Sequence, residues 1–119
     1  MSRQNIILGK WGENAADKYL REKGYEIIGR NYRTPYGEID IICSFREDLT
    51  FVEVKTRKSQ SYGNPEVSVN PRKLEHMETS AQYYVQETCF QGTWQVDVIS
   101  IQKKASNQLE IVHFENVIS

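Results

Sequence analysis

The chain has 119 residues, enough for one domain whose core needs neither disulfides nor a metal to hold it together. Its 39% hydrophobic and 26% charged residues exclude a predominantly disordered chain, and its net charge of -1 selects no polyanionic partner. The charge is uneven, however: residues 1–73 carry 13 bases and 10 acids, whereas residues 74–119 carry 2 and 6.

Taken in chain order, the segment Ile6 to Lys23 has helical period, with Leu8, Trp11, Ala15, Ala16, Tyr19 and Leu20 on one face. Gly9 and Gly12 fall on that face, where small residues permit close packing on a sheet, and Glu13 lies at its border. Gly24 supplies the stop. Three strands are predicted next: Tyr25–Arg33, Tyr36–Phe45 after a Thr34-Pro35 turn, and Leu49–Thr56 after a Glu47-Asp48 turn. Alternation puts Glu38, Asp40 and Ile42 opposite Ile39, Ile41 and Cys43, and puts Phe51, Glu53 and Lys55 opposite Val52 and Val54. A polar loop from Lys58 to Val69 leads to Asn70-Pro71, which reads as an N-cap and a first-turn proline. The helix it opens runs to about Glu87 with Leu74, Met77, Ala81, Tyr84 and Val85 inward. Thr93–Ile101 and Gln108–Phe114 complete a mixed α/β domain in which helices cover a sheet.

Cys43 and Cys89, 46 residues apart and flanked by apolar residues, read as buried free thiols of a reducing compartment. No apolar run approaches the roughly 20 residues of a membrane span. Ile6-Ile7-Leu8 is cut short by Gly9-Lys10, so no signal-peptide core forms and a cytoplasmic location is expected.

The strand carboxylates carry the chemistry. Asp40 sits within Ile39-Asp40-Ile41-Ile42 and Glu53 within Phe51-Val52-Glu53-Val54, where a charge is costly unless it is paired or bound to a cation. If the two strands are neighbours, Asp40, Glu53 and Lys55 converge on one point, and Glu13 adds a third carboxylate if the first helix packs there. Such oxygen donors suit Mg²⁺, with Mn²⁺ as a substitute, and a metal beside a lysine suits phosphodiester hydrolysis. The plainer reading is a surface ion-pair ladder on a half-exposed sheet. Glu38 is expected to be solvated or to pair with an arginine. Arg57, Lys58, Arg72 and Lys73, opposed over residues 55–73 only by Glu66, form either a phosphate-binding stretch or a solvated loop. Tyr32, Tyr36 and Tyr62 lie near these bases and could stack on nucleotides, though Tyr32 could equally be core. His76, His113, Trp11, Trp94 and Asp97 read as structural or solvated.

Three strings taken together resemble the YraN family, small bacterial proteins of restriction-endonuclease-like fold that are similar also to archaeal Holliday-junction resolvases. They are Gly9-Lys10-Trp11-Gly12-Glu13-Asn14-Ala15-Ala16, Gly37-Glu38-Ile39-Asp40-Ile41-Ile42 and Phe51-Val52-Glu53-Val54-Lys55-Thr56-Arg57. The resemblance covers nearly the whole chain, including Asn31-Tyr32-Arg33 and the Lys73 region. It implies a single restriction-endonuclease-like α/β domain over residues 1–119, a mixed central sheet flanked by helices. Asp40, Glu53 and Lys55 match the family's Asp…Glu-x-Lys signature, Glu13 its first-helix acid, and the Val54 carbonyl a further metal ligand. Gln95, in Trp94-Gln95-Val96-Asp97-Val98-Ile99, stands where an arginine is usual. The implied function is Mg²⁺-dependent hydrolysis of DNA, branched or single-stranded, by a chain that resolvase-like substrates would pair into a homodimer. The alternatives are a catalytically inactive nucleic-acid-binding module and a protein-interaction scaffold of the same fold.

Overall fold

The structure is a computed structural model and describes residues 3–58, 71–104, 106 and 108–118, with side chains from Ile7 onward except that of Lys58. The polar loop with Tyr62, the Asn70 cap and the Lys58 side chain therefore lie outside the described residues. The elements are α1 (Arg3–Glu22), β1 (Glu26–Thr34), β2 (Gly37–Phe45), β3 (Asp48–Lys58), α2 (Pro71–Thr88), β4 (Trp94–Lys103) and β5 (Leu109–Phe114). The strands form one sheet in the order β1-β2-β3-β4-β5. All neighbours are antiparallel except β3 and β4, which run parallel with α2 in the connection between them. This is the mixed α/β sheet flanked by helices that the sequence predicts. Among the described residues no helix is long and apolar enough to cross a membrane.

Turn chemistry fixes the register of the meander. Thr34 pairs with Gly37 across Pro35-Tyr36, and the Thr34 hydroxyl accepts the Tyr36 N–H at 3.0 Å. Phe45 pairs with Asp48, so the second turn is Arg46-Glu47 and lies one residue earlier than Glu47-Asp48. Both turn residues have positive φ, 51° and 75°, as a two-residue hairpin twisted to match its strands requires. Asp48 thereby becomes the first residue of β3.

Both helices end in the same motif. Tyr25 N–H donates to the Leu20 carbonyl and Gly24 N–H to that of Arg21, with Gly24 at φ 98°. In α2, Phe90 N–H donates to Val85 and Cys89 N–H to Gln86, which places Cys89 at φ 55° in the position that usually takes glycine. Cys89 is consequently exposed, contrary to its apolar setting in the sequence, while its neighbour Phe90 turns into the core. Cys43 is buried as expected, and its thiol is pushed up to about 12 by burial and then by Asp97.

The core has two layers. Ala16 and Leu20 of α1, flanked by Trp11, Ala15 and Tyr19, cover Ile41, Cys43, Val52, Val54, Ile99 and Ile101. On the other face Met77, Ala81, Tyr84 and Val85 of α2 cover Ile42, Leu49, Phe51 and Val96. Leu74 is half-buried but belongs to neither cluster. Ile39 departs from strict alternation and joins the α2 layer beside Tyr32, whereas Arg30 and Ile41 face α1. The break coincides with Asn31, which holds φ 52° inside β1. A left-handed residue within a strand reverses the side on which the next side chain emerges.

Asp97 is a structural hub. It is fully buried and accepts the Asn116 N–H and the Gln95 side-chain amide, both at 2.9 Å. His113 Nε2 lies 2.7 Å from the same carboxylate, and Nδ1 lies 3.1 Å from the Tyr19 hydroxyl. This chain ties β4, β5, the C-terminal segment and α1 together. Trp94 packs edge-on against Phe51, and Trp11 packs against the α1 layer, so both tryptophans serve the core.

Gly12 sets how closely α1 approaches the sheet, because a Cβ there would fall 1.9 Å from Thr56 Oγ1. Gly9 meets nothing within 4 Å and is no packing contact. The two glycines should therefore respond oppositely to alanine. Gly12→Ala overpacks and should lower the thermal midpoint by several degrees, given that overpacking costs about 1–3 kcal/mol. Gly9→Ala relieves a helix-interior glycine and should raise the midpoint by a few degrees, since the exchange is worth up to about 1 kcal/mol. Differential scanning calorimetry of both variants checks this, and a loss of equal size at both positions would contradict the packing difference.

Candidate active site

The β2–β3 ladder pairs Phe45 with Asp48 and continues to Ile41 opposite Val52. One residue further, the Asp40 carboxylate takes the place of a ladder partner and accepts the Val54 N–H at 2.8 Å. Asp40 is thus lodged between two strands at the point where they part. Phe51 packs in the α2 layer and Val52 and Val54 in the α1 layer, the split that alternation predicts, so Glu53 and Lys55 fall on the side of α2 rather than on that of the first helix.

Three other carboxylates act electrostatically on Asp40. Burial raises the Asp40 pKa from 3.8 to about 7, with Glu53 the next contributor and Glu13 and Glu38 adding to it. The Val54 amide opposes the rise by favouring the ionised form. Glu13 comes from α1, one residue after the Gly12 contact with Thr56, so the close helix-to-sheet approach delivers it to the cluster.

Every carboxylate but Asp40 has a basic partner. Arg30 reaches Glu13 at 3.5 Å, Arg33 reaches Glu38 at 3.7 Å, and Lys73 of α2 reaches Glu53 at 3.2 Å. Among the described residues Asp40 ion-pairs with no side chain. Glu38 meets the expectation that it pairs with an arginine, and Glu13 is held by β1 rather than by a neighbour on its own helix.

Asn31 is a site residue that periodicity alone does not reveal. Its side-chain amide donates to Glu13 at 3.0 Å and to Glu38 at 3.1 Å, bridging α1 and β2. The signal in the sequence is the residue type: asparagine is a turn former, tolerant of positive φ, set among residues of a predicted strand.

Of the other candidates, Lys55 is half-buried two residues beyond Glu53, and Arg57 is half-buried beyond it on β3. Arg72 is exposed in the first turn of α2. Tyr32 is half-buried, its ring edge-on to Tyr84 at 5.1 Å, within the α2 layer. The structure therefore brings Glu13, Asp40, Glu53, Val54 and Lys73 together, while Arg57 lies further along β3 and Arg72 on the exposed first turn of α2.

The donor set suits a hard divalent cation. Among the described residues no three His, Cys, Asp or Glu side chains form a ready-made cage. A carboxylate pair with open positions is how Mg²⁺ is commonly held, since it keeps several waters and takes substrate phosphate oxygens. A cation would also offset the burial and the carboxylate repulsion that raise the Asp40 pKa.

Residues 12–101 match the profile of a family described as the uncharacterised protein family UPF0102. A UPF0102 protein of Syntrophomonas wolfei is 46% identical over 98 residues, covering 82% of this chain and 85% of its own. One of Desulfosudis oleivorans is 40% identical over 113 residues, 94% and 91% of the two chains. Among solved structures, that of Pyrococcus furiosus SfsA in complex with Ca²⁺ is similar with a TM-score of 0.39 and 15% identity. That match takes in 93% of this chain and spans 63% of the SfsA chain, a general likeness of shape.

Two consequences can be measured. Because folding raises the Asp40 pKa from 3.8 to about 7, the folded protein binds its proton more tightly than the unfolded chain. Stability contributed at this position should fall as pH climbs from about 4 to about 7 and stay low above that. In EDTA, Asp40→Asn should therefore melt higher than wild type at pH 8, by at least about 4 °C, with the gap closing toward pH 4. A gap independent of pH would contradict this. At position 31, alanine must adopt the left-handed backbone that glycine takes easily. Asn31→Ala should be less stable than Asn31→Gly by about 1 kcal/mol in urea titrations, whereas equal midpoints would show that the backbone is not the constraint.

Proposed function

The chain belongs to the uncharacterised protein family UPF0102, the YraN family that its motifs resemble, and on that footing we propose that it is a Mg²⁺-dependent nuclease hydrolysing phosphodiester bonds of DNA. One observation carries this reading: Asp40 and Glu53 stand together where β2 and β3 part, and Asp40 has no cationic partner among the described residues. A structural ion-pair ladder would supply that partner.

Asp40 and Glu53 would hold Mg²⁺ or Mn²⁺, with Glu13 and the Val54 carbonyl as further ligands, to neutralise charge developing on the phosphate and to lower the pKa of a water. Lys55, on the Glu53 face, would orient the attacking water and hydrogen-bond a phosphate oxygen through Nζ. Arg57, Lys58, Arg72 and Lys73 would contact flanking phosphates. Asn31 would position Glu13 and Glu38 without touching substrate. A homodimer would serve symmetric cutting of branched DNA, since two cuts need two sites. The reducing cytoplasm is the setting that fits two free cysteines.

The 3.2 Å contact between Lys73 and Glu53 favours a second reading, in which a side chain has taken over part of the cation's role and the protein binds nucleic acid without cutting it. Single-stranded, duplex, flap and four-way-junction DNA, each with Mg²⁺, Mn²⁺ or EDTA, separate the two. Metal-dependent cutting is expected, abolished in Asp40→Asn and slowed about a hundredfold or more in Lys55→Ala. Binding without cutting would establish the second reading, and cutting that persists in Asp40→Asn would place the reaction elsewhere.

A further inference from the structure

We infer that the cleft between the β1–β2 hairpin tip and the first turns of α2 is a subsite for an unpaired base of a DNA strand, with Tyr36 as its stacking surface. Its place beside a scissile phosphate rests on the nuclease reading, whereas its binding chemistry does not.

The cleft has a volume of about 90 Å³ and is lined by Tyr36, Gly37, Glu38, Glu53, Lys73 and His76, among others. Glu38 and Glu53 belong equally to the carboxylate cluster, so a strand with its phosphate at Asp40 and Glu53 runs past this opening. Lys73 and His76 lie on the α2 side, one helical turn apart, where a backbone phosphate next to the bound base would fall.

Tyr36 is 51% exposed on a turn of only two residues. Pro35 restricts the backbone before it, the Thr34 hydroxyl holds its N–H at 3.0 Å, and Gly37 follows at φ 145°. Tyr83 of α2 steadies the ring, with centroids 6.4 Å apart and planes at 69°. The result is an aromatic surface already ordered before a ligand arrives, which lowers the entropic cost of binding. The other tyrosine of this hairpin, Tyr32, is committed to Tyr84 and the core.

A base inside a duplex has both faces covered by its neighbours, so Tyr36 can stack only on an unpaired one. Stacking discriminates little among the four bases, because each has a π-face. The subsite therefore selects DNA structure rather than sequence.

Fluorescence anisotropy in EDTA tests this with a roughly 12-nucleotide oligothymidylate and with the duplex of the same length. Tyr36→Ala should weaken single-strand binding by about five- to a hundredfold and leave duplex binding within about twofold of wild type, with Tyr36→Phe close to wild type. The melting midpoint should not move, since the ring is exposed. Unchanged single-strand affinity in Tyr36→Ala, equal losses on both DNAs, or a loss in Tyr36→Phe as large as in Tyr36→Ala would each overturn the subsite. Parallel digests with Mg²⁺ keep the two proposals apart. Asp40-dependent cutting without any Tyr36 effect would overturn the subsite and leave the nuclease. Tyr36-dependent strand binding without Asp40-dependent cutting would support the subsite and remove the nuclease.

Discussion

A single hydrogen bond, from the Val54 amide to the Asp40 carboxylate, decides what the end of the β2–β3 ladder becomes. With a ladder carbonyl in that place the two strands would continue as sheet. With a carboxylate there, the strands separate around an acid whose pKa burial and three neighbouring carboxylates raise well above the usual carboxylate range. The surrounding structure serves this arrangement. Gly12 lets α1 come down on Thr56 and brings Glu13 in, Asn31 departs from strand geometry to tie Glu13 to Glu38, and Lys73 reaches across from α2 to Glu53.

The distribution of positive charge gives this arrangement its chemistry. Arg30, Arg33 and Lys73 each answer one of the outer carboxylates, and among the described residues Asp40 ion-pairs with no side chain. On the proposed metal-dependent reading, a divalent cation held by Asp40 and Glu53 and a substrate phosphate would each favour the other's binding.

Much of this was legible from alternation alone. Giving Asp40 and Glu53 faces that converge once their strands pair needed only the period-2 pattern and a short turn. What alternation could not reach were the positions where the backbone leaves its ordinary regions. Asn31, with φ 52°, shifts Ile39 and Tyr32 to the α2 layer. Arg46 and Glu47 take a turn geometry more usual for asparagine and glycine, which displaced the second turn by one residue. Cys89 stands at a helix terminus for which its residue type gives no hint. Gly9 and Gly12 share a predicted helix face, and only the packing around each distinguishes them, with Thr56 against Gly12 and open space at Gly9.

The parallel pairing of β3 with β4 also bears on how the chain folds. All four carboxylates lie between Glu13 and Glu53, in α1 and a meander closed by two-residue turns, whereas β4 reaches β3 only after the whole α2 connection. Local pairings close short loops at low entropic cost, whereas joining Leu49 to Trp94 must close the long loop through α2. That one pairing, more than any in the meander, raises the mean sequence separation of the sheet's contacts and with it the entropic part of the folding barrier.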